Sequence, residues 1–168
     1  DQILCNVTSS SFAANTPVAG TGLWTLIAGT GTIASPSSPS SSVSGLSVGT
    51  NTFQWTISNG SCPPSSDQMS IIISALPSTA NAGPDQNLCN ITSSAFAANT
   101  PTVGTGLWTL IAGTGTITTP SSPTSTVTGL SVGTNTFQWT VSNGSCPSSS
   151  DQMDIIISAP PSASNAGP

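Results

Sequence analysis

The chain has 168 residues and a formal net charge of −5, and charged side chains make up only 3% of it. It contains no Lys, Arg or His, so it lacks the cations that hold phosphates, and we exclude nucleic acid as a partner. The same lack excludes electrostatic attraction to an anionic membrane surface. No apolar run approaches the roughly 18 residues of a transmembrane helix, so this segment is not expected to insert directly into a membrane.

The sequence is one 84-residue unit written twice: residues 1–84 align with residues 85–168 without a gap, with 68 identities and 16 differences. Because each unit has the length of one small domain, we predict two domains with these bounds. The last ten residues of each repeat, 75–84 and 159–168, contain prolines and are predicted to be short, stiff linkers. The end of each repeat reads in register into the start of another, as expected for part of a longer array.

Short strand signals, separated by turn residues, follow one another along each repeat. In the first repeat they lie at residues 4–5, 12–13, 22–27, 32–33, 42–46, 52–58 and 68–74. The sixth alternates between apolar and polar residues, as a half-buried strand does, and the seventh is β-branched and nearly continuous. No segment has helical periodicity with caps, so no helix is predicted. The fold class predicted is all-β, with tandem immunoglobulin-like two-sheet sandwiches of about seven strands each, arranged head to tail.

Apolar residues on these strands predict one core for each repeat, and we interpret all four tryptophans as core residues rather than ligand-stacking residues. The predicted core comprises Trp24, Leu26, Phe53, Trp55, Ile57, Ile71 and Ile73 and their counterparts Trp108, Leu110, Phe137, Trp139, Val141, Ile155 and Ile157.

Three strings of the repeat resemble a known group of proteins. They are Gly-Thr-Gly-Leu-Trp-Thr-Leu, Val-Gly-Thr-Asn-Thr-Phe-Gln-Trp-Thr and Ser-Asn-Gly-Ser-Cys-Pro, at residues 20–26, 48–56 and 58–63. The whole unit, in both copies, resembles the immunoglobulin-like (PKD-like) tandem repeats of large bacterial surface proteins, above all of the Bacteroidetes type. The resemblance implies a spacer or adhesive stalk on a bacterial cell surface. The chain departs from that group in having almost no charged residues.

Each repeat contains two cysteines, Cys5 and Cys62 in the first and Cys89 and Cys146 in the second. An even count at repeated spacing, without histidine or a CxxC pair, indicates disulfides formed in an oxidising compartment. We place the loop before the last strand at the end of the domain where the chain enters, beside the start of the first strand. Because a disulfide requires Cα atoms within about 7 Å, this placement predicts the pairs Cys5–Cys62 and Cys89–Cys146.

Catalytic groups are scarce in this sequence. General acid–base catalysis and activated nucleophiles use His, Lys, Glu, Tyr or clustered Asp, and the chain has only five Asp among these types. We therefore predict no enzyme activity, no catalytic residue and no cofactor. A calcium site formed by Asp67, Asp85 and Asn81, where the two repeats meet, is the alternative to no metal. Calcium takes six to eight oxygens, usually with several carboxylates, so no metal site is predicted.

Covalent glycans are the modification that the sequence indicates. Asn-x-Ser/Thr sequons begin at Asn6, Asn59, Asn90 and Asn143, although Asn-Gly is also a favoured turn. Both sequons of a repeat flank its cysteines, so we expect them at the same end of the domain. Ser and Thr account for 57 residues, in proline-interrupted runs typical of O-glycosylated stalks. The O-linked candidates are Ser37, Ser38, Ser40, Ser41, Thr124 and Thr126.

These features predict a structural repeat of a secreted or cell-surface extracellular fibre or stalk, glycosylated and extended head to tail by further copies of the same repeat. The alternative is an adhesin repeat that binds carbohydrate or another cell surface. A third interpretation is an ice-binding surface of ordered threonines. That surface would contain Thr114, Thr116, Thr118 and Thr119, in a flat array that twisted strands rarely provide.

Overall fold

The structure, a computed structural model, describes residues 1–167 and forms fourteen strands within them. The first repeat contains β1 (Gln2–Cys5), β2 (Ser9–Ser11), β3 (Thr21–Ala28), β4 (Thr32–Ile33), β5 (Ser42–Ser44), β6 (Gly49–Ser58) and β7 (Ser65–Ser74). The second contains β8 (Gln86–Cys89), β9 (Ser93–Ala95), β10 (Thr105–Ala112), β11 (Thr116–Ile117), β12 (Thr126–Thr128), β13 (Gly133–Ser142) and β14 (Ser149–Ser158). Seven strands per repeat and the two sheets of each confirm the predicted all-β tandem of immunoglobulin-like sandwiches.

The chain divides into two compact units. Unit 1 comprises Asp1–Leu76 together with the short piece Gly144–Cys146. Unit 2 comprises Pro77–Asn143 and the described residues from Pro147 onward. In unit 1 the sheets have the strand orders β1-β7-β6-β3 and β2-β5-β4, and in unit 2 the orders β8-β14-β13-β10 and β9-β12-β11.

The predicted linker 75–84 is not a free spacer. From Pro77 onward it belongs to unit 2, because Ala80 and Ala82 are buried in the core of that unit. The second predicted linker, 159–168, is exposed as far as Gly167, and Pro168 lies outside the described residues.

The first strand of each repeat pairs in parallel with the last strand, and only with its final four residues. In unit 1, Gln2 pairs with Ile71 and Cys5 pairs with Ser74. β7 has ten residues, so its two ends lie roughly 30 Å apart at about 3.3 Å per residue. Cys5 therefore lies where β7 ends, far from the loop that precedes β7. The same register holds β8 against the end of β14.

An aromatic cluster fills the core of unit 1. The rings of Phe12 and Trp24 stack at 4.1 Å between centroids, and Phe53 and Trp55 pack against them at 5.0 and 5.2 Å. The sequence predicted that Phe12 begins a strand, but Phe12 directly follows the end of β2. Its backbone N–H donates to the Ser41 carbonyl. The equivalent rings of unit 2 repeat this arrangement.

The predicted core needs correction at two equivalent leucines. Leu26 and Leu110 are 40% and 39% exposed, because each lies on an edge strand where pairing with its neighbour shifts by one residue. The core instead includes residues that the sequence prediction left out. These are Phe12, Val43 and Leu46 in unit 1 and Phe96, Val127 and Leu130 in unit 2.

A buried asparagine joins three parts of unit 1. The Asn51 Oδ1 accepts the backbone N–H of Thr30 at 2.9 Å, and its Nδ2 donates to the Ser47 carbonyl at 2.9 Å and the Ile71 carbonyl at 3.3 Å. The side chain is fully buried, so it replaces water for these backbone groups. Asn135 does the same in unit 2.

Replacing Asn51 with leucine should lower the free energy of unfolding of unit 1 by about 2–4 kcal/mol, because buried backbone groups lose their partners. The matched control is Thr50→Ala at the exposed neighbouring residue, which should stay within about 0.5 kcal/mol of wild type. Urea denaturation followed by tryptophan fluorescence measures both. Equal stability of the two variants would contradict this role for the carboxamide.

Candidate functional site

A disulfide joins the two repeats covalently. Cys5, at the end of β1, bonds to Cys146 in the loop before β14, with their Cα atoms 4.8 Å apart. Cys146 is buried, and its sulfur lies 3.4 Å from the carbonyl oxygen of Ser74 at the end of β7. The loop segment Gly144–Cys146 is thereby part of unit 1 although it belongs to the second repeat in sequence.

The predicted pairs Cys5–Cys62 and Cys89–Cys146 are wrong. The prediction placed both cysteines of a repeat at the same end of the domain. The parallel register instead holds Cys5 beside Ser74, whereas Cys62 precedes the start of β7, roughly 30 Å away along that strand. A disulfide requires Cα atoms within about 7 Å, so the two cysteines of one repeat do not pair.

The remaining cysteines, Cys62 and Cys89, are exposed free thiols. They are the repeat equivalents of the bonded pair, since Cys62 occupies in repeat 1 the position of Cys146 in repeat 2, and Cys89 occupies the position of Cys5. The disulfide therefore links the first-strand cysteine of one repeat to the loop cysteine of the next.

Unit 1 has a surface groove with a volume of about 430 Å³. Trp24, Trp55 and Met69 supply apolar surface to it, and Asn15 and Asp67 supply polar groups. A smaller hollow of about 130 Å³ shares Trp55, Asn15 and Asp67 with the groove. We call the two together the unit 1 groove.

In unit 2 the corresponding surface is covered by the chain itself. The covering piece is residues 77–84, which we call the connector segment. Ala82 is 0% exposed and Ala80 is buried beside it, in the same core cluster as Trp139 and Met153. Met153 is buried, whereas its equivalent Met69 in unit 1 is only partly buried. The difference is consistent with the connector segment covering Met153.

Backbone N–H groups of the connector segment donate to side chains on β14. The N–H of Ala80 donates to the Ser149 Oγ at 2.9 Å, and the N–H of Ala82 donates to the Asp151 carboxylate at 2.8 Å. Residues i and i+2 of an extended chain face the same side, so the N–H groups of Ala80 and Ala82 both face β14.

Asn99 binds the other edge of the connector segment. Its Oδ1 accepts the N–H of Asn81 at 2.8 Å, its Nδ2 donates to the Thr79 carbonyl at 2.9 Å, and its own backbone N–H donates to the Asn81 carbonyl at 3.0 Å. Gly83 then turns with a φ of +86° close to Ala97, where a side chain on Gly83 would come within 2.7 Å of the Ala97 carbonyl oxygen.

The same polar residues occur in the unit 1 groove. Asn15, Ser65 and Asp67 are the equivalents of Asn99, Ser149 and Asp151. Within residues 1–167 no hydrogen bond is formed by these three side chains, and all three are exposed. Unit 1 therefore has the same three polar residues that bind the connector segment in unit 2.

The other carboxylates accept hydrogen bonds within the protein, and Asp154 accepts the Thr136 hydroxyl at 2.7 Å. Asp1 accepts the Ser70 N–H and Asp85 accepts the Asp154 N–H, both at 2.8 Å. The described part of the chain has no group of three or more His, Cys, Asp or Glu that could hold a metal ion. In the same part, no helix is long and apolar enough to cross a membrane.

The sequons do not gather as expected. Asn6, Asn59 and Asn90 are exposed, and Asn143 is half-buried. The Asn6 N–H donates to the Ser74 carbonyl at the end of β7, whereas Asn59 lies in the loop before β7, so the two sequons of the repeat lie at opposite ends of that strand. Asn6 and Asn90 adopt φ angles of +48° and +53°, which asparagine tolerates better than most residues.

The hydroxyl candidates divide by exposure. Ser37, Ser40, Thr124 and Thr126 are exposed and Ser38 is half-buried. Ser41 is 4% exposed, and its Oγ accepts the Ser35 N–H at 2.9 Å, so this predicted glycosylation site is not accessible in the folded chain.

The threonines considered for ice binding do not form a strand array. Thr116 lies in β11, and Thr114, Thr118 and Thr119 lie outside strands. The Thr118 hydroxyl donates to the Thr126 carbonyl at 2.9 Å, so it is engaged within the protein. A regular flat surface of threonine hydroxyls is therefore not formed by these four residues.

Solved structures match the chain over nearly its whole length. An I-band fragment of titin superposes with a TM-score of 0.55 at 13% identity, over 94% of this chain and 62% of the fragment. Immunoglobulin domains 1–4 of Sidekick-1 superpose with a TM-score of 0.56 at 10% identity, over 94% of this chain and 46% of that one. The PKD domain from KIAA 1837 protein matches 53% of this chain at 27% identity with a TM-score of 0.44, over 93% of that domain.

The fold and these likenesses define a tandem of two immunoglobulin-like domains, an architecture shared by many cell-surface proteins. The chain spans only about half to two thirds of the multidomain structures it resembles. No protein-family model matches the chain, and no curated protein sequence matches it. The disulfide is typical of proteins that fold in an oxidising, extracellular environment.

Removing the disulfide by the double change Cys5→Ser and Cys146→Ser should lower the free energy of unfolding by about 2–4 kcal/mol, because the unfolded chain gains freedom. The matched control is Cys62→Ser with Cys89→Ser, which removes two exposed thiols and should change stability by less than about 0.5 kcal/mol. Thermal unfolding by circular dichroism measures both proteins. A control as unstable as the test variant would argue against the Cys5–Cys146 bond.

Replacing Asp151 with alanine should destabilise unit 2 by about 1–3 kcal/mol, because the buried N–H of Ala82 loses its acceptor. Asp67→Ala is the matched control, since the equivalent carboxylate in unit 1 accepts no hydrogen bond within the described chain. Denaturation at micromolar protein concentration compares the two. If both variants lose the same stability, the connector is not held by Asp151.

Proposed function

We propose that the chain is a structural repeat of a secreted or cell-surface fibre that extends head to tail and is coated with glycans. The observation that supports it most is the disulfide between the first-strand cysteine of one repeat and the loop cysteine of the next. A bond of this kind makes each repeat a covalent partner of its neighbour. Such a bond adds a second covalent connection between neighbouring repeats, which suits a fibre that bears tension.

The disulfide changes how tension passes along the chain. Cys5 and Cys146 are separated by 141 positions in sequence. Force applied outside this pair passes through the sulfur–sulfur bond, so the residues between the two cysteines are not pulled apart while the bond is intact. Strands β2 to β13 lie inside that protected stretch, whereas β1 and β14 lie outside it.

The surface composition supports a glycan coat. Large apolar side chains such as Ile3, Val18, Leu23 and Val48 are at least 50% exposed, and the chain has almost no charge to keep copies apart. Edge strands without charged side chains are prone to pair with one another. Sugars on the exposed hydroxyl and amide candidates would supply hydration and steric separation.

The resemblance to repeats of bacterial surface proteins supports a bacterial host and a place outside the cell. The adhesin interpretation is the second candidate, and the unit 1 groove favours it, because a tryptophan-lined groove with polar groups is suited to binding a ligand.

Native material should consist of filaments, and its mass per 168 residues should exceed the 16.6 kDa of the bare polypeptide. Imaging tests whether filaments form, and intact-mass measurement tests whether glycans are attached. Glycopeptide mapping should find sugars on exposed residues such as Ser37 and Thr124, with none on Ser41, which serves as the internal control because it is buried. Bare mass would refute the glycan coat, and isolated globules would refute the fibre.

A further inference from the structure

We propose that O-linked sugars are attached to four hydroxyl residues, each of them third in a four-residue turn that contains proline, and that these sugars shield the open edge strands β3 and β10. The four residues are Ser37, Ser40, Ser121 and Thr124. The inference rests on the proposed glycan coat, for which it names the acceptor residues and the surface that the sugars protect.

Residues 35–41 form two consecutive β-turns, which we call the double-turn loop. The Ser38 N–H donates to the Ser35 carbonyl at 2.9 Å, and the Ser41 N–H donates to the Ser38 carbonyl at 3.2 Å. Proline is the second residue of each turn, where its fixed φ favours the turn, and a hydroxyl residue follows it as the third. Residues 119–125 form the same two turns in unit 2, with the same distances.

The third residue of each turn faces solvent, and all four proposed acceptors are exposed. Within residues 1–167 none of their hydroxyls forms a hydrogen bond, apart from a 3.5 Å contact between the Ser40 and Ser38 Oγ atoms. By contrast, Ser41 at the end of the second turn is 4% exposed, and its Oγ accepts the Ser35 N–H at 2.9 Å. The turns therefore present two accessible hydroxyls in each repeat.

The double-turn loop lies against an open edge of the four-stranded sheet. β3 is the last strand of that sheet, and the Trp24 backbone N–H donates to the Pro36 carbonyl at 2.8 Å instead of to a further strand. The Trp24 indole N–H donates to the Pro39 carbonyl at 3.4 Å. Unit 2 repeats both contacts on β10. A sugar on Ser37 would therefore begin one residue away from the contact between the loop and β3.

This edge is apolar and uncharged in both units. Leu23, Leu26 and Ile27 on β3 are 50%, 40% and 50% exposed, and their equivalents on β10 are 49%, 39% and 50% exposed. Because these values agree, the exposure is the same whichever repeat is considered. An apolar edge strand tends to pair with another chain, and a charge on the strand is a common protection, which β3 and β10 lack. Hydrated sugars on the adjacent loop would supply that protection.

The acceptors fit a sugar better than a phosphate. A phosphorylated hydroxyl is stabilised by nearby Arg or Lys, and the chain has neither. In the transfer, the hydroxyl oxygen attacks the anomeric carbon of a diphosphate-activated sugar, so a carbon–oxygen bond forms and the bond from that carbon to the diphosphate breaks. The diphosphate leaves with the bonding electrons, and the hydroxyl proton passes to a base of the transferase.

Site mapping of glycopeptides from the native material tests the acceptors, which should all carry sugars. The serines expected to be bare are half-buried or buried in the same loops: Ser38, Ser41, Ser122 and Ser125. Thr126 is the sharper control, since it is exposed but lies in β12 and not in a turn. Sugars on Thr126 with bare turns would overturn the inference and leave the glycan coat standing, whereas material without any sugar would overturn the coat itself. Phosphate on the turns would overturn the choice of sugar.

The full chain produced without sugars tests whether the edge strands need protection. Light scattering should show that it associates with increasing concentration. The double variant Leu23→Lys with Leu107→Lys places a charge on each edge strand and should weaken association at least about tenfold. The matched control, Val48→Lys with Val132→Lys, adds the same charges at exposed residues outside the strands and should stay within about twofold of the unchanged chain. Equal association of the two variants would overturn pairing through β3 and β10.

Removal of the sugars from native material tests the shielding directly. After treatment with a glycosidase that releases O-linked sugars, the material should scatter more light and form side-by-side bundles in electron micrographs. A sample treated with heat-inactivated enzyme is the control and should remain dispersed. Deglycosylated material that stays as dispersed as the control would overturn the shielding of β3 and β10.

Discussion

The parallel pairing of β1 with the last four residues of β7 decides which cysteines can meet. It holds Cys5 beside Ser74, at the end of the domain where the chain leaves, while Cys62 precedes the other end of β7. The length of β7 therefore excludes a disulfide within a repeat, whereas a disulfide to the next repeat becomes possible. This register determines the disulfide, the placement of the sequons and the route by which tension passes along the chain.

The same register gives the residues after β7 a structural role. The chain leaves unit 1 at Leu76 and at once covers the core of unit 2, where Ala82 is fully buried and its N–H is bound by Asp151. A repeat is thus completed by a segment that precedes it in sequence. Unit 1 has a groove lined by residues identical to their equivalents in unit 2. This completion of unit 2 by the preceding residues supports the proposed fibre.

Much of the fold could be predicted from the sequence, because strict alternation in the sixth strand and the β-branched run in the seventh indicate strands without reference to the rest of the chain. The burial of Trp55 and Trp139 followed from the same alternation. Leu26 could not be predicted to be exposed, because the shift in pairing beside it depends on a neighbouring strand. The cysteine pairing failed for a similar reason: the local pattern shows that residues 4–5 form a strand, but the partner residues on β7 are set by tertiary packing. The burial of Ala80 and Ala82 left no signal, since alanines beside proline and glycine are equally typical of a linker.

The most direct test of this account is disulfide mapping of the unreduced protein by mass spectrometry. The repeats differ near every cysteine, with Ile3 against Asn87 beside the first-strand cysteines and Pro64 against Ser148 beside the loop cysteines, so each peptide has its own mass. The account predicts a first-strand peptide with Cys5 bonded to a loop peptide with Cys146. Recovery of Cys5 bonded to Cys62 would contradict it, because that bond cannot form while β1 is paired with the end of β7.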